Sequence, residues 1–213
     1  MSAETESGDV LVVHSSAFEG FADVTIPAEQ MALREVLEKV FAARWLSVQP
    51  RVSAEADSTF RQIIPYILVT SEGCLLCYRR SVKGSENRLY GLRSIGWGGH
   101  IERADLQLRG TVLDVLSTIR ATAKRELAEE LGLSEPLDRK YLGLIVERDS
   151  DVGLVHVACV EAWTVSRNSN ISLEDTSEDV EWQTLEDVAQ NLYELESWSL
   201  HALELLKACE ERG

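Results

Sequence analysis

Three glutamates within nine residues are spaced so that they share one side of a single helix. The stretch Arg-Glu-Leu-Ala-Glu-Glu-Leu-Gly-Leu occupies residues 125–133. At about 100° per residue, Glu126, Glu129 and Glu130 fall within an arc of about 100°, and the intervening leucines can face a core. Carboxylates this close repel one another, and a hard divalent cation with oxygen ligands removes the repulsion. A Glu-rich helix face can also be merely solvated, so the pattern alone leaves both interpretations open.

A glycine-rich segment precedes this helix. Residues 94–102 read Ser-Ile-Gly-Trp-Gly-Gly-His-Ile-Glu and place three glycines within four positions. Glycine is needed where the backbone approaches a ligand or another strand closely, although a flexible loop has a similar composition. Together with the glutamates, this segment favours a metal site, with Mg²⁺ as the usual cation where phosphate oxygens complete the coordination.

The two segments together resemble the Nudix box, the signature of the Nudix hydrolase superfamily. The box is a glycine, five residues, an acid, seven residues and then Arg-Glu-aliphatic-x-Glu-Glu-x-Gly-aliphatic. Every fixed position of its second half is present, from Arg125 to Leu133. Gly-Gly-His-Ile in the loop, with Arg-Gln-Ile-Ile-Pro-Tyr at 61–66 and Tyr-Arg-Arg at 78–80, is also similar to a subgroup of predicted Nudix phosphoesterases.

The first half of the box departs from the family pattern. Gly99 is followed after five residues by Asp105, where the family has Glu, and 19 residues instead of seven then separate Asp105 from Arg125. The box therefore carries a 12-residue insertion. The substitution and the altered spacing leave the role of Asp105 open.

The insertion contains Gly110 followed by apolar residues at helical spacing. We therefore predict a loop over 103–110 and one continuous helix from about Thr111 to Leu131. A non-repetitive loop beside a metal site commonly has a binding or gating role. We expect this one to act as a lid or as part of a homodimer contact.

The remaining residues read as strands and helices of an α/β protein. We predict a strand over 10–13, one helix over 26–48, a linker over 49–59, hairpin strands over 63–70 and 74–80, strands over 141–147, 152–165 and 180–182, and helices over 184–192 and 197–210. This order fits the fold that the resemblance implies, a Nudix-type α/β/α sandwich with a mixed sheet. We expect an N-terminal extension over 1–58, packed on a Nudix domain over 59–213.

Charge and hydropathy exclude some classes of partner. The chain has 213 residues, with 36 acids against 21 bases and a formal charge of -15, so a nucleic-acid backbone would repel it. No apolar stretch approaches the roughly 18 to 20 residues that span a bilayer, and the first residues lack the pattern of a signal peptide. We therefore expect a cytoplasmic protein without a nucleic-acid polymer or a membrane as partner.

The four cysteines are few and scattered, at Cys74, Cys77, Cys159 and Cys209. Three of them lie in apolar patterns, which indicates reduced thiols of the core. The Cys-x-x-Cys spacing of the first two could indicate zinc, but no second pair accompanies it and its surroundings read as a strand.

A basic cluster lies directly before the glycine segment. It consists of Arg79, Arg80, Lys83, Arg88 and Arg93. One interpretation is a solvated hairpin. The other is that some of these residues, Arg79, Arg80 or Arg93, hold the phosphates of a small anionic substrate, since guanidinium matches phosphate in a bidentate way.

Several single residues are candidates for the site. His100 could contact a phosphate or a metal-bound water, or hold a structural hydrogen bond. His14, His156 and His201 have no second feature near them, and we assign them to the core or the surface. Trp97 is the only tryptophan adjacent to the glutamate and glycine segments.

Glu178 lies in the acidic run 174–179, which is typical of a solvated loop. Some relatives in the superfamily place a catalytic base in this region, so Glu178 stays a candidate. Glu102, three residues after the last glycine of the loop, could support the metal shell.

The resemblance implies hydrolysis of a phosphoanhydride bond in a small nucleoside diphosphate linked to another group. Mg²⁺ or Mn²⁺ would be held by the carbonyl of Gly99 and the carboxylates of Glu126, Glu129 and Glu130. Such ions lower the pKa of a bound water that attacks phosphorus. Glu129 is our first choice for positioning or deprotonating that water, and Arg125, four residues earlier, can orient it.

Two other functions on the same fold stay open. One is a non-hydrolytic Nudix module that binds a nucleotide or a partner protein, although the three intact helix acids favour a hydrolase. The other is an isomerase of the isopentenyl diphosphate isomerase kind, which uses a reactive Cys near the box, where this chain has none. The substrate is not readable from the sequence, because selectivity in this superfamily lies in loops outside the box.

Overall fold

The structure is a computed structural model that describes residues 8–21, 24–28, 33–81, 89–173 and 177–211. The strands are β1 (Asp9–His14), β2 (Thr25–Pro27), β3 (Leu46–Pro50), β4 (Phe60–Ser71), β5 (Cys74–Arg80), β6 (Arg93–Ser94), β7 (Gly96–Trp97), β8 (Leu108–Arg109), β9 (Val112–Leu113), β10 (Asp138–Ile145), β11 (His156–Thr164) and β12 (Ser177–Thr184). The helices are α1 (Leu33–Val40), α2 (Arg51–Glu55), α3 (Val115–Leu131), α4 (Asp151–Val155), α5 (Leu185–Gln190) and α6 (Ser197–Glu210).

Ten strands of the described chain form one mixed sheet, whose main path runs β12-β5-β4-β11-β10-β2. The central pair, β4 and β11, is parallel, and its neighbours on both sides are antiparallel. Side chains alternate between the two faces of a strand. Along β4, Ile64 and Leu68 accordingly pack on one face with α6, while Ile67 and Val69 pack on the other with α3. The predicted α/β/α sandwich with a mixed sheet is therefore confirmed.

Two predictions for the N-terminal residues are wrong. The single helix over 26–48 is replaced in the described residues by β2, α1, a 3-10 turn and β3. Ile26 pairs with Leu144 of β10, so tertiary pairing overrides the helical periodicity there. The linker over 49–59 instead holds the end of β3 and then α2, because Ala54 is fully buried against Val10 and Val12 of β1.

The predicted strand over 10–13 is confirmed as β1, which pairs with β3 and with β4. Three strands from before residue 58 thus enter the same sheet as the later ones. The division of the chain at residue 58 stays a prediction.

A 3-10 turn over Arg103–Asp105 leads into the box insertion, which forms a short β8–β9 hairpin and the first turns of α3. The predicted continuous helix to Leu131 is confirmed, but it begins at Val115 instead of Thr111. Asp114 caps it by accepting a hydrogen bond from the Ser117 amide at 3.1 Å, and the preceding residues turn back into the hairpin. The helix ends at Gly132, whose φ of 67° is left-handed.

The predicted later elements are mostly confirmed. The hairpin over 63–80, the strands near 141–147 and 180–182 and the two last helices are present. The strand over 152–165 is wrong at its start, where residues 151–155 form α4. Ser150 begins that helix by accepting a hydrogen bond from the Gly153 amide at 2.9 Å. No helix in the described ranges is both long enough and apolar enough to cross a membrane.

The cysteines, all within the described residues, form no disulfide. Cys74 and Cys77 lie three positions apart on β5, so their side chains point to opposite faces of the sheet and cannot chelate one ion together. Burial raises the pKa of Cys77 to about 12 and also raises the pKa of Cys159. These features support the interpretation of core thiols.

Candidate functional site

A cavity of about 290 Å³ lies where α2, β4, the glycine segment, α3, α4 and α6 meet. Its lining combines acids, bases and aromatic rings. The charged and imidazole side chains in its wall are Arg51, Arg80, His100, Glu102, Glu126, Glu130, His156 and Glu196. The aromatic side chains are Tyr66, Tyr78 and Trp198.

Close backbone packing explains the glycines of residues 96–99. A Cβ on Gly98 would overlap the carbonyl oxygen of Pro65, and one on Gly99 would overlap the carboxylate of Glu126. Gly98 also has a φ of 145°, which side-chain-bearing residues rarely adopt. The loop therefore brings its backbone directly against β4 and the box helix, so the predicted close approach to another strand is present, while contact with a ligand stays a prediction.

Arg125 joins the loop, the turn at 103–105 and the helix. Its Nε and Nη2 donate to the two carboxylate oxygens of Asp105 at 3.0 and 2.9 Å, and its Nη2 also donates to the carbonyl of His100 at 3.0 Å. Burial raises the pKa of Asp105, but the hydrogen bonds and charge of Arg125, together with the hydrogen bond from the Glu102 amide, hold that pKa below its usual value. Asp105 is thus the anchor of Arg125, and the insertion loops out without breaking this contact.

The three helix glutamates occupy different surroundings. Glu126 and Glu130 line the cavity. Burial raises the pKa of Glu126, and the charge of Glu129 adds to this shift. The side chain of Glu129 is 53% exposed and pairs with Arg125 Nη1 at 3.0 Å. Glu129 is a described residue but is not among those that line the cavity.

These donors suit a hard divalent cation. Glu126 and Glu130 are one helical turn apart, and the close approach of Gly99 brings backbone and carboxylate oxygens to the same wall. Carboxylate and carbonyl oxygens are the ligands that Mg²⁺ and Mn²⁺ prefer. A bound cation would lower the pKa of Glu126 again, because a nearby positive charge favours the ionised carboxylate.

The predicted phosphate-binding arginines are held by acids. Arg79 donates to Glu194 at 3.1 Å, and Arg93 donates to Glu181 at 2.6 Å. Neither lies in the cavity wall, which Arg80 does reach. Lys83 and Arg88 of the same cluster lie outside the described residues.

Arg80 pairs with Glu196, a buried acid that sequence analysis did not identify as a site residue. Glu196, only 2% exposed, accepts from Arg80 Nε at 2.6 Å, from the Tyr66 hydroxyl at 2.8 Å and from the Ser94 hydroxyl at 2.7 Å. The side chain of Ser199 also contacts the Tyr66 hydroxyl at 2.9 Å. This network fixes the position of the Arg80 guanidinium in the cavity wall.

The other candidates are divided by the structure. His100 and Glu102 line the cavity, whereas Glu178 is exposed on β12 opposite Arg79 and is absent from the lining. Trp97 is 1% exposed and packs in the core at 4.1 Å from the Tyr78 ring. The tryptophan of the cavity is Trp198, which begins α6 far along the sequence.

Sequence analysis also missed Arg51, Glu55 and His156. Arg51 and Glu55 lie on α2, in the segment predicted as a linker, and His156 begins β11. The Nε2 atoms of His100 and His156 are 3.3 Å apart, and Glu55 Oε1 lies 3.3 Å from the latter. Burial lowers the pKa of His100 to about 3, and the contact with His156 lowers that of Glu55 to about 2. No local spacing signals this group, because its members come from three separate segments.

Comparison with known proteins agrees with the fold. No protein-family model matches the chain. The chain is similar to protein YmaB of Bacillus subtilis (strain 168), with 26% identity over 204 residues and 93% of each chain covered.

Two solved structures share the fold. The crystal structure of Tm1382, a protein inferred to be a Nudix hydrolase, matches with a TM-score of 0.73 and 22% identity, covering 93% of this chain and 97% of that one. The NUDIX domain of Shewanella oneidensis NrtR, solved with ADP ribose, matches with a TM-score of 0.52 and 18% identity, covering 70% of this chain and 87% of that one. The chain therefore has the Nudix fold, as predicted, while the phosphoesterase subgroup stays a prediction.

Proposed function

We propose that this protein is a cytoplasmic Nudix hydrolase that uses Mg²⁺ or Mn²⁺ to cleave a phosphoanhydride bond in a small nucleotide-derived substrate. One observation carries the proposal. Glu126, Glu130 and the backbone of Gly99 form one wall of a cavity whose other walls present guanidinium and aromatic groups. This wall belongs to an intact second half of the Nudix box on a chain with the Nudix fold. Four unbridged thiols, three of them buried, support a reducing compartment.

The chain's own residues would divide the work. The carboxylates of Glu126 and Glu130, with the Gly99 carbonyl, would hold the cation, which neutralises phosphate charge and activates a water when bound. Glu129 would orient or deprotonate that water from its place beside Arg125, one residue from Glu130 on the same helix. Arg125 in turn is fixed by Asp105, so the helix and the loop keep one geometry.

The opposite wall would bind the substrate. Arg80, held by Glu196, and Arg51, on α2, place positive charge toward the cavity, where a diphosphate could bind. The rings of Tyr66 and Trp198 offer a surface on which a base could stack. Among the described residues, Arg79 and Arg93 are not in the cavity wall, so we assign them a secondary role.

A substrate screen tests the function. The protein would be incubated with Mg²⁺ and with nucleotide sugars, ADP-ribose, dinucleoside polyphosphates, nucleoside triphosphates or nucleotide coenzymes. The phosphate or nucleoside monophosphate that is released would be quantified. We expect one class to be hydrolysed and the reaction to stop with EDTA. Tight binding of a nucleotide without hydrolysis of any class would identify a binding module instead.

The insertion hairpin is proposed to be a homodimer contact rather than a lid. Leu108 and Val112 are 66% and 64% exposed, and no described residue from 106 to 113 lines the cavity. The register of the hairpin, Leu108 opposite Leu113 and Arg109 opposite Val112, places the two exposed side chains on opposite faces, where each would contact a second copy of the chain.

The double substitution Leu108→Ser and Val112→Ser should therefore convert a dimer into a monomer in light scattering coupled to size exclusion. Leu137→Ser, at a residue 76% exposed elsewhere, is the matched control and should leave the dimer intact. A wild-type protein that is monomeric at high concentration, or a dimer that survives the double substitution, would refute this role.

A further inference from the structure

Three side chains other than the box glutamates bring metal-ligating atoms close together. Glu55 Oε1, His100 Nε2 and His156 Nε2 all lie within 4.8 Å of one another. The two shorter separations, from His156 Nε2 to each partner, are 3.3 Å, and the third, between His100 and Glu55, is 4.0 Å. Glu55 comes from α2, His100 from the glycine segment and His156 from the start of β11.

These separations match those of ligands around a tetrahedral zinc ion. Nitrogen and oxygen ligands lie about 2.0 to 2.2 Å from Zn²⁺, which places neighbouring ligand atoms about 3.3 to 3.5 Å apart. Two of the three separations in this cluster are 3.3 Å, and a small rotation of His100 would bring the third into range. Two imidazoles and one carboxylate form a ligand set of zinc enzymes, which leave the fourth position open.

Hydrogen bonds behind the cluster fix its orientation. His156 Nδ1 contacts the Val152 carbonyl at 2.8 Å, so it carries the proton and Nε2 keeps its lone pair. Gln62 Nε2 lies 3.1 Å from that Nε2 atom, a contact that a bound ion would replace. Gln62 donates to Glu55 Oε1 at 3.1 Å. Arg61 donates to the His156 carbonyl at 3.2 Å and to the Glu147 carbonyl at 2.9 Å, which holds the turn before β11. Metal-binding histidines are typically oriented in this way by a backbone carbonyl.

We propose that Glu55, His100 and His156 form a second metal site, which binds Zn²⁺ or a similar divalent transition metal. This site differs from the oxygen-only wall of Glu126 and Glu130, because its two imidazoles select softer ions than Mg²⁺. Its open position faces the cavity, since both histidines line it. An ion there would present a water or a substrate oxygen to the same space as Arg51. The site stands on its own geometry and does not depend on hydrolase activity.

The experiment uses zinc alone. Full-length protein would be stripped with chelator, incubated with ZnCl₂, dialysed, and its metal content measured. We expect one retained zinc per chain, and the double variant Glu126→Gln, Glu130→Gln should retain it equally. His100→Gln and Glu55→Gln should each weaken zinc binding by at least about 100-fold, as loss of a direct ligand exceeds the 10- to 100-fold effect of its supporting partners.

His201→Gln is the matched control, because His201 lies on α6 beside Glu204 and away from the cluster. The side chains of His100 and Glu55 are 17% and 31% exposed, so their variants are better suited to the test than His156→Gln, whose side chain is 5% exposed. Circular dichroism would verify that each variant is folded.

Spectroscopy of the unsubstituted protein gives a second readout. Co²⁺ in place of zinc should show the intense visible absorption of a four-coordinate ion, and X-ray absorption of the zinc form should show two imidazole ligands. The proposal is overturned if the wild type retains no zinc after dialysis, or if the Glu126/Glu130 double variant loses the zinc while His100→Gln and Glu55→Gln keep it. The first result would identify the cluster as a hydrogen-bonded structural group, and the second would place the ion in the Nudix site.

Discussion

Replacing Glu126 by Gln should lower kcat by about 1000-fold on any substrate that the protein hydrolyses. The carboxylate is buried against Gly99 in the cavity wall, so its charge acts directly on a cation there. Stabilisation of transition-state charge by a bound metal is worth several kcal/mol, and about 4 kcal/mol corresponds to about 1000-fold. Glu129→Gln should cost less, about 100-fold, in line with lost acid–base catalysis from a more exposed position.

Steady-state kinetics at saturating Mg²⁺ would measure kcat of the Glu126 and Glu129 variants. A titration with Mn²⁺, followed by electron paramagnetic resonance, would measure how tightly each variant binds the cation. Glu135→Gln is the control, since Glu135 is exposed, pairs with Lys124 and lies beyond the end of α3. Near-normal turnover of the Glu126 variant would remove this residue from the site. Near-normal turnover of Glu129→Gln alone would reassign the base.

Replacing Glu196 by Ala should destabilise the protein by about 3 kcal/mol. The substitution leaves the Arg80 guanidinium in the cavity wall without its carboxylate and takes an acceptor from the hydroxyls of Tyr66 and Ser94. Removing one partner of a buried ion pair typically costs about 3 to 5 kcal/mol, and the 27% exposure of Arg80 favours the lower end.

The matched control for this substitution is Glu194→Ala. Glu194 lies two residues before Glu196 and forms the same kind of pair with Arg79, but both side chains are about a third exposed, at 30% and 33%. Exposed pairs contribute about 0 to 1 kcal/mol, so this variant should unfold almost like the wild type. Urea unfolding followed by tryptophan fluorescence would give both values. Equal free energies of unfolding for the two variants would show that the Glu196 network is not a structural support.

Local patterns predicted the parts of the site that lie on continuous segments. The glutamate face of α3, the close-packed glycines and the end of the helix at Gly132 each depend on neighbours within a few residues, and each is present. The 12-residue insertion did not obscure them, because it forms the β8–β9 hairpin and the first turns of α3, ahead of Arg125. The hairpin and the last helices were readable for the same reason.

The other half of the cavity depends on contacts between distant residues. Arg51 and Glu55 lie in a polar stretch without apolar periodicity, and one buried alanine, Ala54, is enough to pack it as a helix. His156 reaches His100 only because β11 pairs with β4 in the observed register, His156 opposite Gln62. Neither the packing of α2 nor the pairing of β11 with β4 can be recognised from the neighbouring residues in the sequence.

The charge pattern of the sequence was a poor guide to phosphate-binding arginines, because acids from distant segments pair with them in the fold. The basic run that includes Arg79 and Arg93 appeared uncompensated in sequence, since only one acid lies within it. In the fold, Glu181 of β12 and Glu194 before α6 pair with these two residues. Whether an arginine is available to bind a ligand therefore depends more on the acids that the fold places beside it than on its position in a basic run.

The pairing of β2 with β10 determines the order in which this sheet can be completed. Pro27 lies opposite Gly143, and Ile63 of β4 lies opposite Val157 of β11, so each pair joins early and late parts of the chain. During synthesis the early strands emerge from the ribosome first and must wait for their partners, with apolar edges uncovered. Such non-local pairing raises the contact order and slows folding. Both walls of the cavity would then form late, after most of the chain has been made.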